Sequence, residues 1–247
     1  MSTDALAIWF REFRLPTMAA QYGELIQQAE AQNWGYRKFL AQLCEAEAVD
    51  RRERKRERLL RESGLSGGKT LASLDEAQLP AKVRRQLPTL LEGGFVDRAE
   101  NVLVFGLPGR GKTHFLCAVG RELILRQGRS VGFLPTFKLV QQLLQAKKDL
   151  RLDSLLKKLD RYEVVILDDL GYVQQSREEM EVLFTFLAER YERRSVMISS
   201  NLVFSKWDQI FKDPMTTMAA VDRLVHHAII LEFDGESHRV SRSKGSS

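Results

Sequence analysis

The chain has 247 residues, of which 44% are hydrophobic and 29% charged, values that suit a globular protein with one large domain and a smaller one. It contains no apolar run near the roughly 20 residues of a membrane-spanning helix, and its first residues lack a secretory signal pattern, so we expect neither a membrane partner nor secretion. Its two cysteines, Cys44 and Cys117, lack the spacing of a metal site or disulfide framework, which predicts a cytoplasmic protein.

Residues 4–62 carry apolar side chains at helical spacing, and Pro16 followed by Thr17 is typical of a helix start. The sequence NWGY, residues 33–36, breaks this pattern before the next helix. These features predict a small all-α domain over residues 1–65.

A strongly basic run, RRERKRERLLR, occupies residues 51–61 and holds seven basic residues against two acidic ones. The net charge of the chain is +5, so this run matches the excess of the whole protein and favours a polyanionic partner. A solvated helix held by Glu–Arg pairs is the alternative. The candidate DNA-binding residues are Arg51, Arg52, Arg54, Lys55, Arg56 and Arg58.

Glycine, serine and proline cluster in ESGLSGGKTLASLDEAQLP, residues 62–80, which predicts a domain boundary near residues 63–70 and a linker with a lead-in segment over 66–100. Short apolar runs separated by helical stretches then predict a parallel sheet covered on both faces, within a second domain over 101–240. The predicted strands are 101–105, 130–134, 163–167, 195–200 and 228–233, and 241–247 is predicted to be a disordered tail.

The first predicted strand runs into GLPGRGKT, residues 106–113, which has the phosphate-loop spacing between a strand and a helix. Glycines let successive N–H groups face phosphate oxygens, and the helix N-terminus adds partial positive charge. We expect Lys112 to reach the β- and γ-phosphates and the Thr113 hydroxyl to bind Mg²⁺. Packing or capping is the alternative role for His114. The candidate ATP contacts are Gly106, Pro108, Gly109, Arg110, Gly111, Lys112, Thr113 and His114.

Two neighbouring carboxylates end the apolar run VVILDD, residues 164–169, beside the predicted phosphate loop. We expect Asp168 to hold the Mg²⁺ shell and Asp169 to polarise the attacking water. A helix cap or turn former is the alternative for Asp169. Aspartate is one methylene shorter than the glutamate of many such ATPases, so we expect slow hydrolysis.

A side-chain amide, Asn201, ends the next predicted strand, SVMISSN. At the tip of a strand beside the aspartates it would orient the lytic water or contact the γ-phosphate. The alternative is that Ser200 and Asn201 only open a turn. The adjacent His226 and His227 are expected to diverge on a helix and not to hold one metal ion.

Almost the whole chain resembles the IstB family of AAA+ helper ATPases, which are encoded beside a transposase in bacterial insertion sequences. The resemblance lies in FRLPTMAAQYGELIQQAE, GKTHFLCAVGRELI, VVILDDLGY, LFTFLAERYERRSVMISSN and AAVDRLVHHAIILEFDGESHR, which keep the family's order. The ATPase half is also similar to DnaC-type helicase loaders, whereas LPTMAAQY and FLAQLCEAEAVDRRERKR resemble IstB proteins in particular.

The resemblance implies an AAA+ P-loop ATPase with bound ATP and Mg²⁺ that assembles on duplex DNA without strong sequence preference and delivers a target site to a transposase. It also implies a bacterial, nucleoid-associated location and a homo-oligomer with ATP at its subunit interfaces. Arg223 matches the family's arginine finger, with a surface ion pair to Asp222 or Asp213 as the alternative. Arg239 matches a phosphate-contacting arginine that acts in cis.

Two other functions stay open at this point. A helicase loader would use the N-terminal helices to hold a hexameric helicase instead of DNA. An ATP-binding scaffold would bind nucleotide without hydrolysing it, because Asp169 is too short to activate water.

Overall fold

The computed structural model describes residues 3–171, 176–202 and 224–234. Contacts within the chain separate two compact units, Met1–Arg58 and Leu59–Ser247. The sequence predicts a boundary near residues 63–70, a few residues beyond this division, and the independent folding of either part stays a prediction. The predicted tail at 241–247 lies outside the described residues. No helix in the described ranges is long and apolar enough to cross a bilayer.

The described residues of the first unit form helices and connecting turns only. The helices are α1 (Thr3–Glu12), α2 (Pro16–Ala31) and α3 (Tyr36–Glu62), of which α3 continues four residues into the second unit. The predicted helix start is confirmed, because Pro16 occupies the first turn of α2, where its missing N–H costs nothing. The predicted break between α2 and α3 is confirmed as well.

The second unit contains a five-stranded parallel sheet, as the sequence predicts, with strand order β2-β3-β4-β1-β5. In chain order, the second unit begins with a 3₁₀ turn (Glu76–Gln78), α4 (Ala81–Glu92), α5 (Gly94–Asp97), β1 (Asn101–Phe105), α6 (Lys112–Gln127) and β2 (Val131–Pro135). Its remaining elements are α7 (Thr136–Lys148), α8 (Leu152–Leu159), β3 (Val164–Leu170), α9 (Arg177–Arg190), β4 (Ser195–Ser200) and β5 (Ala228–Glu232).

Successive side chains of a strand point to opposite faces of the sheet. Helices pack against both faces, so each face has its own hydrophobic core. On β1, Val102 and Val104 pack with α4 and α6, whereas Leu103 and Phe105 pack with α7 and α9. The central strand β1 is apolar and buried on both faces, as a covered parallel sheet requires. The predicted α/β architecture is therefore confirmed.

The bounds of three strands and the content of one segment differ from the prediction. The second strand begins and ends one residue later, the third runs from Val164 to Leu170, and the fifth ends at Glu232. The sequence did not predict α4, which lies within the segment described as a linker and buries Val83, Leu87 and Leu90. Its amphipathic pattern is short and contains Pro88, which usually argues against a helix.

Candidate nucleotide site

The main-chain conformation of the glycine-rich loop between β1 and α6 requires glycine at both ends of the loop. Gly111 adopts a left-handed φ of 84° as the residue that caps α6. At Gly106 a Cβ atom would lie 2.5 Å from the Phe233 carbonyl oxygen, so only glycine fits between β1 and β5. The turn therefore brings main-chain N–H groups and the N-terminus of α6 together, an arrangement that binds phosphate. Pro108 lies exposed in this loop.

Lys112 is the first residue of α6 and is only 5% exposed. Its Nζ donates to the Gly106 oxygen at 2.6 Å, the Leu107 oxygen at 3.0 Å and Asn201 Oδ1 at 2.7 Å. These bonds hold the ammonium group inside the loop at the tip of β4. Phosphate oxygens are stronger partners for an ammonium group than carbonyl oxygens, so the same position suits a triphosphate.

Thr113 and Asp168, the two predicted Mg²⁺ ligands, are in direct contact. The Thr113 hydroxyl donates to Asp168 Oδ1 at 2.8 Å, and that oxygen also accepts from the Ser199 hydroxyl at 2.6 Å. Asp168 is half-buried at the carboxyl end of β3. Oxygen donors of this kind, with room for water, are what Mg²⁺ prefers. The residues present therefore fit a magnesium ion bound between α6 and β3.

Asp169 lies at an irregularity in β3 and not in a regular turn. Pairing of β3 with β4 shifts register between Leu167 and Leu170, and Asp169 adopts a φ of 58° with an exposed side chain. Its N–H donates to Ser199 Oγ at 2.9 Å. Bulges of this kind re-aim side chains and are frequent beside active sites. Asp169 lies within β3, and the next helix among the described residues begins at Arg177 with Ser176 as its cap, so Asp169 does not cap that helix.

Asn201 and Ser200 have different contacts, although the sequence offered both as turn residues. The Ser200 hydroxyl accepts from the Leu202 N–H at 3.1 Å and lies within donating distance of the Leu170 oxygen at 2.8 Å and the Leu202 oxygen at 3.0 Å, so Ser200 forms the turn. Asn201 instead contacts Lys112 through its side chain. The structure thus brings together four of the five predicted catalytic residues, Lys112, Asp168, Asp169 and Asn201, at the carboxyl edge of the sheet.

Arg110 and His114 contact segments that the sequence did not connect with the loop. Arg110 Nη1 lies 3.4 Å from the Phe233 oxygen, which it can reach as a donor. His114 Nε2 lies 3.0 Å from Ser73 Oγ and 3.1 Å from the Thr70 oxygen. These contacts agree with the alternative of a packing role for His114, and its ATP contact stays a prediction. The predicted arginine finger Arg223 and the predicted phosphate ligand Arg239 lie outside the described residues.

The basic run on α3 contains arginines with two kinds of surroundings. Arg51 and Arg54 form ion pairs with Glu47, which is buried and accepts the Thr17 N–H at 2.8 Å at the start of α2. Arg56 pairs with Glu53. Within the described part of the chain, the ion pairs do not include the four exposed basic residues Arg52, Lys55, Arg58 and Arg61. The alternative of a helix held by Glu–Arg pairs therefore holds for three of the seven basic residues of the run.

The expected helical position of His226 and His227 is wrong. His226 and His227 lie in a turn before β5 and not on a helix, and their ring centroids are 4.3 Å apart. Together with Glu192 they bring three potential ligand atoms within 4.8 Å of one another. The physical reason is that the turn lets neighbouring side chains point the same way, whereas helical residues diverge by about 100°.

Sequence reasoning missed three groups that shape the site. Ser199 joins Asp168 and Asp169, and the Thr136 hydroxyl donates to the Asp168 carbonyl oxygen at 2.8 Å. Phe233 supplies the carbonyl that closes the loop on the side of β5. The polar end of SVMISS was a signal for Ser199, because β3 and β4 end together, but no local signal marks Phe233.

Comparison with known proteins gives one consistent result. The sequence model of the IstB-like ATP binding protein family matches residues 9–246. A relative from Sinorhizobium fredii, named for the insertion sequence ATP-binding proteins, is 41% identical and is aligned over 95% of this chain and 78% of its own length. Another of that name, from Geobacillus stearothermophilus, is 35% identical over 93% of this chain and 91% of its own.

The fold is also found in solved structures of low sequence identity. A DnaC helicase loader is 18% identical, with a TM-score of 0.53, and covers 62% of this chain and 89% of its own. This likeness supports the predicted AAA+ P-loop fold of the second unit.

Proposed function

Since the chain belongs to the family of IstB-like ATP binding proteins, we propose that it is a magnesium-dependent ATPase that assembles on DNA and delivers a target site to a partner transposase. One observation carries the ATPase part of this proposal. Across the carboxyl edge of the sheet, Lys112 contacts Asn201 and Thr113 contacts Asp168, so two pairs of groups suited to phosphate and Mg²⁺ lie side by side.

Each residue at this edge has a task in ATP binding that follows from its chemistry. The loop N–H groups and the N-terminus of α6 would bind the phosphates, and Lys112 would exchange its carbonyl partners for phosphate oxygens. Thr113 and Asp168 would hold Mg²⁺, which supplies neutralisation of the phosphate charge when bound.

Asp169 and Asn201 would position the water that attacks the γ-phosphate. The main chain of Asp169 is held in a left-handed conformation by the bulge and by Ser199, which fixes where its short side chain starts. An Asp169→Asn variant that hydrolyses ATP as fast as the wild type would remove this residue from the proposal and leave a nucleotide-binding scaffold.

Arg223 would complete the site of a neighbouring subunit, as the family resemblance implies. Such a finger is worth roughly 10³ to 10⁵ in rate, so a monomer should be nearly inert. A mixing experiment tests the arrangement, because Arg223→Ala retains the ATP site and Lys112→Ala retains the finger. We expect each variant to be inactive alone and their mixture to regain ATP hydrolysis on DNA. A mixture as inactive as its components would contradict a site shared between subunits.

DNA binding would use the exposed cations of α3. Arg52 and Lys55 are exposed, whereas Arg51 and Arg54 pair with Glu47. Changing Arg52 and Lys55 together to Gln should lower the slope of log affinity against log salt by up to about 1.8, at about 0.9 per phosphate contact. The matched pair Arg51→Gln and Arg54→Gln should lower it less and destabilise the first unit. An unchanged slope with the first pair would contradict a role for this run in DNA binding.

The identity of the partner distinguishes the family's function from that of a helicase loader. The likeness to the DnaC loader concerns the fold alone and does not favour that function. We expect the full chain with ATP and DNA to retain the transposase encoded beside it, which would also place the protein on the bacterial nucleoid. Retention of a replicative helicase instead would support the loader.

A further inference from the structure

Away from the nucleotide site, three side chains in the described part of the chain are arranged as metal ligands. Glu192, His226 and His227 are all exposed, and their ligand atoms lie within 4.8 Å of one another. We propose that these residues form a binding site for a divalent transition metal ion of the zinc class, completed by water. The proposal is independent of the nucleotide site and of the function proposed above.

The cluster lies at the opposite edge of the sheet from the phosphate loop. Glu192 follows α9 and precedes β4, and the two histidines directly precede β5, so all three lie where strands begin. The phosphate loop follows the carboxyl end of β1, which pairs with β5 over five residues. At about 3.3 Å per residue, roughly 16 Å of strand separates the two sites. A metal ion here would therefore not contact the triphosphate.

Both turns that carry the ligands are held by hydrogen bonds of buried residues. Asn101 donates through Nδ2 to the Leu224 oxygen at 3.2 Å and through its main chain to the His227 oxygen at 2.8 Å, and its Oδ1 accepts from Val196 on β4. It therefore links the turn before β5 to the start of β4. On the other side, the buried Arg190 main-chain oxygen accepts the Arg193 N–H at 3.0 Å and closes the turn that holds Glu192.

The geometry of the histidines suits a common ion. Their rings are inclined by 67° with centroids 4.3 Å apart, and His226 Nδ1 lies 3.4 Å from the Tyr191 hydroxyl. A ligand histidine commonly donates its second ring N–H to an oxygen, so this contact would leave Nε2 of His226 for the metal. Zinc bonds of about 2.0–2.1 Å place tetrahedral ligands roughly 3.3 Å apart, which exposed side chains can reach by closing about 1.5 Å.

The donor set selects the class of metal. Two imidazoles and one carboxylate suit Zn²⁺, Co²⁺, Ni²⁺ or Cu²⁺, whereas Mg²⁺ prefers oxygen ligands and retains its water. A bound ion would join the turn after α9 to the turn before β5. Since these turns are far apart in the sequence, the ion should stabilise the second unit against unfolding.

Zinc titration of the full chain tests the site. The titration is done with excess Mg²⁺ and ATP in a Cys44→Ser background, because Cys44 is an exposed thiol that could bind zinc by itself. We expect one equivalent of Zn²⁺ to bind and to raise the melting temperature. His226→Gln, His227→Gln and Glu192→Gln should each weaken binding by roughly tenfold or more. Glu189→Gln, on the last turn of α9, is a matched control that should bind as the parent does.

Two outcomes would overturn the proposal. The first is a parent protein with no saturable zinc binding, and the second is binding that survives in the double variant His226→Gln with His227→Gln. The spectrum of Co²⁺ bound to the parent protein provides a measurement that needs no variant. Intense visible absorption typical of tetrahedral nitrogen and oxygen coordination supports the site, and the weak spectrum of hydrated Co²⁺ contradicts it.

Discussion

Two buried cationic side chains lie at opposite edges of the same sheet and have different roles. Lys112, 5% exposed, follows the carboxyl end of β1, and Arg190, 2% exposed, precedes the amino end of β4. Arg190 donates to the oxygens of Leu159 at 3.2 Å, Tyr162 at 2.9 Å and Ser195 at 3.0 Å. Burial lowers its pKa to about 10, so the guanidinium is still charged at neutral pH.

The difference lies in what each cation connects. Arg190 joins main-chain oxygens from α8, from the turn before β3 and from β4, and these oxygens lose a common donor in its absence. Lys112 bonds two oxygens of its own loop and the Asn201 side chain, which a phosphate group can replace. A buried charge therefore supports the fold at one edge, whereas at the other it is placed for a ligand.

Replacing Arg190 by Met should have the largest effect. At least two buried carbonyl oxygens lose their donor, at a cost of about 1–3 kcal/mol each, so the free energy of unfolding should fall by about 4 kcal/mol. Urea unfolding of the variant measures this loss. A Lys112→Met variant should lose less than about 1 kcal/mol, since its loop oxygens reach water. Equal losses in the two variants would erase the contrast between the edges.

Lys112→Met should instead weaken ATP binding. A charge-assisted hydrogen bond is worth about 1.5–3 kcal/mol, which corresponds to about 10- to 100-fold in the dissociation constant. Equilibrium binding of a fluorescent ATP analogue provides the value, with Lys82→Met, an exposed lysine of α4, as the matched control. Unchanged affinity in Lys112→Met would mean that this buried cation is not a phosphate ligand.

Substitutions of two serines of β4, one at each edge of the sheet, allow the two edges to be compared within one strand. Ser199→Ala removes the hydroxyl that contacts both Asp168 and the Asp169 N–H, and we expect ATP hydrolysis to slow by about tenfold, as for other groups that orient metal ligands. The hydroxyl group of Ser195, which is buried at the amino end of β4, donates to the Phe95 oxygen at 3.4 Å and lies far from the aspartates. Ser195→Ala should hydrolyse ATP at the normal rate. Similar losses in both would indicate a general effect on β4.

The smallest expected effect concerns Glu163, at the amino edge. Burial raises its pKa, but hydrogen bonds from the Ser130 N–H and Arg129 outweigh this and leave the pKa below its ordinary value of 4.5. A lowered folded pKa means that the carboxylate stabilises the fold above pH 4.5 and that this contribution disappears as pH falls through the lower value. Glu163 is partly exposed, so we expect less than about 1 kcal/mol. Between pH 3 and 6, the free energy of unfolding of Glu163→Gln should depend less on pH than that of the wild type. Identical pH profiles of the two proteins would exclude the effect.

The carboxyl edge was largely predictable because its motifs carry main-chain requirements. The phosphate-loop spacing fixed the positions of Lys112 and Thr113, and parallel strands that end together placed Asp168 and Asn201 beside them. Ser199 lay within a quoted motif, but its contact with the bulge depends on the register of β3 and β4, which the sequence does not state.

The amino edge and the first unit were less predictable, because their polar contacts join segments distant in sequence. Arg190 and Asn101 bond main-chain oxygens of other elements, and no spacing rule marks them. Charge composition predicted a DNA-binding run on α3 but could not show that Glu47 already pairs with two of its arginines. The expectation for His226 and His227 failed for a related reason, since a helix was assumed where a turn exists.

The state of assembly on DNA tests the central claim most directly, namely that the Lys112 edge binds ATP and that bound ATP joins subunits around a duplex. Mass photometry of the full chain with a duplex should show oligomers with a non-hydrolysable ATP analogue and monomers without it, and Lys112→Met should stay monomeric in both. A wild-type protein that stays monomeric with saturating nucleotide and DNA would contradict the account.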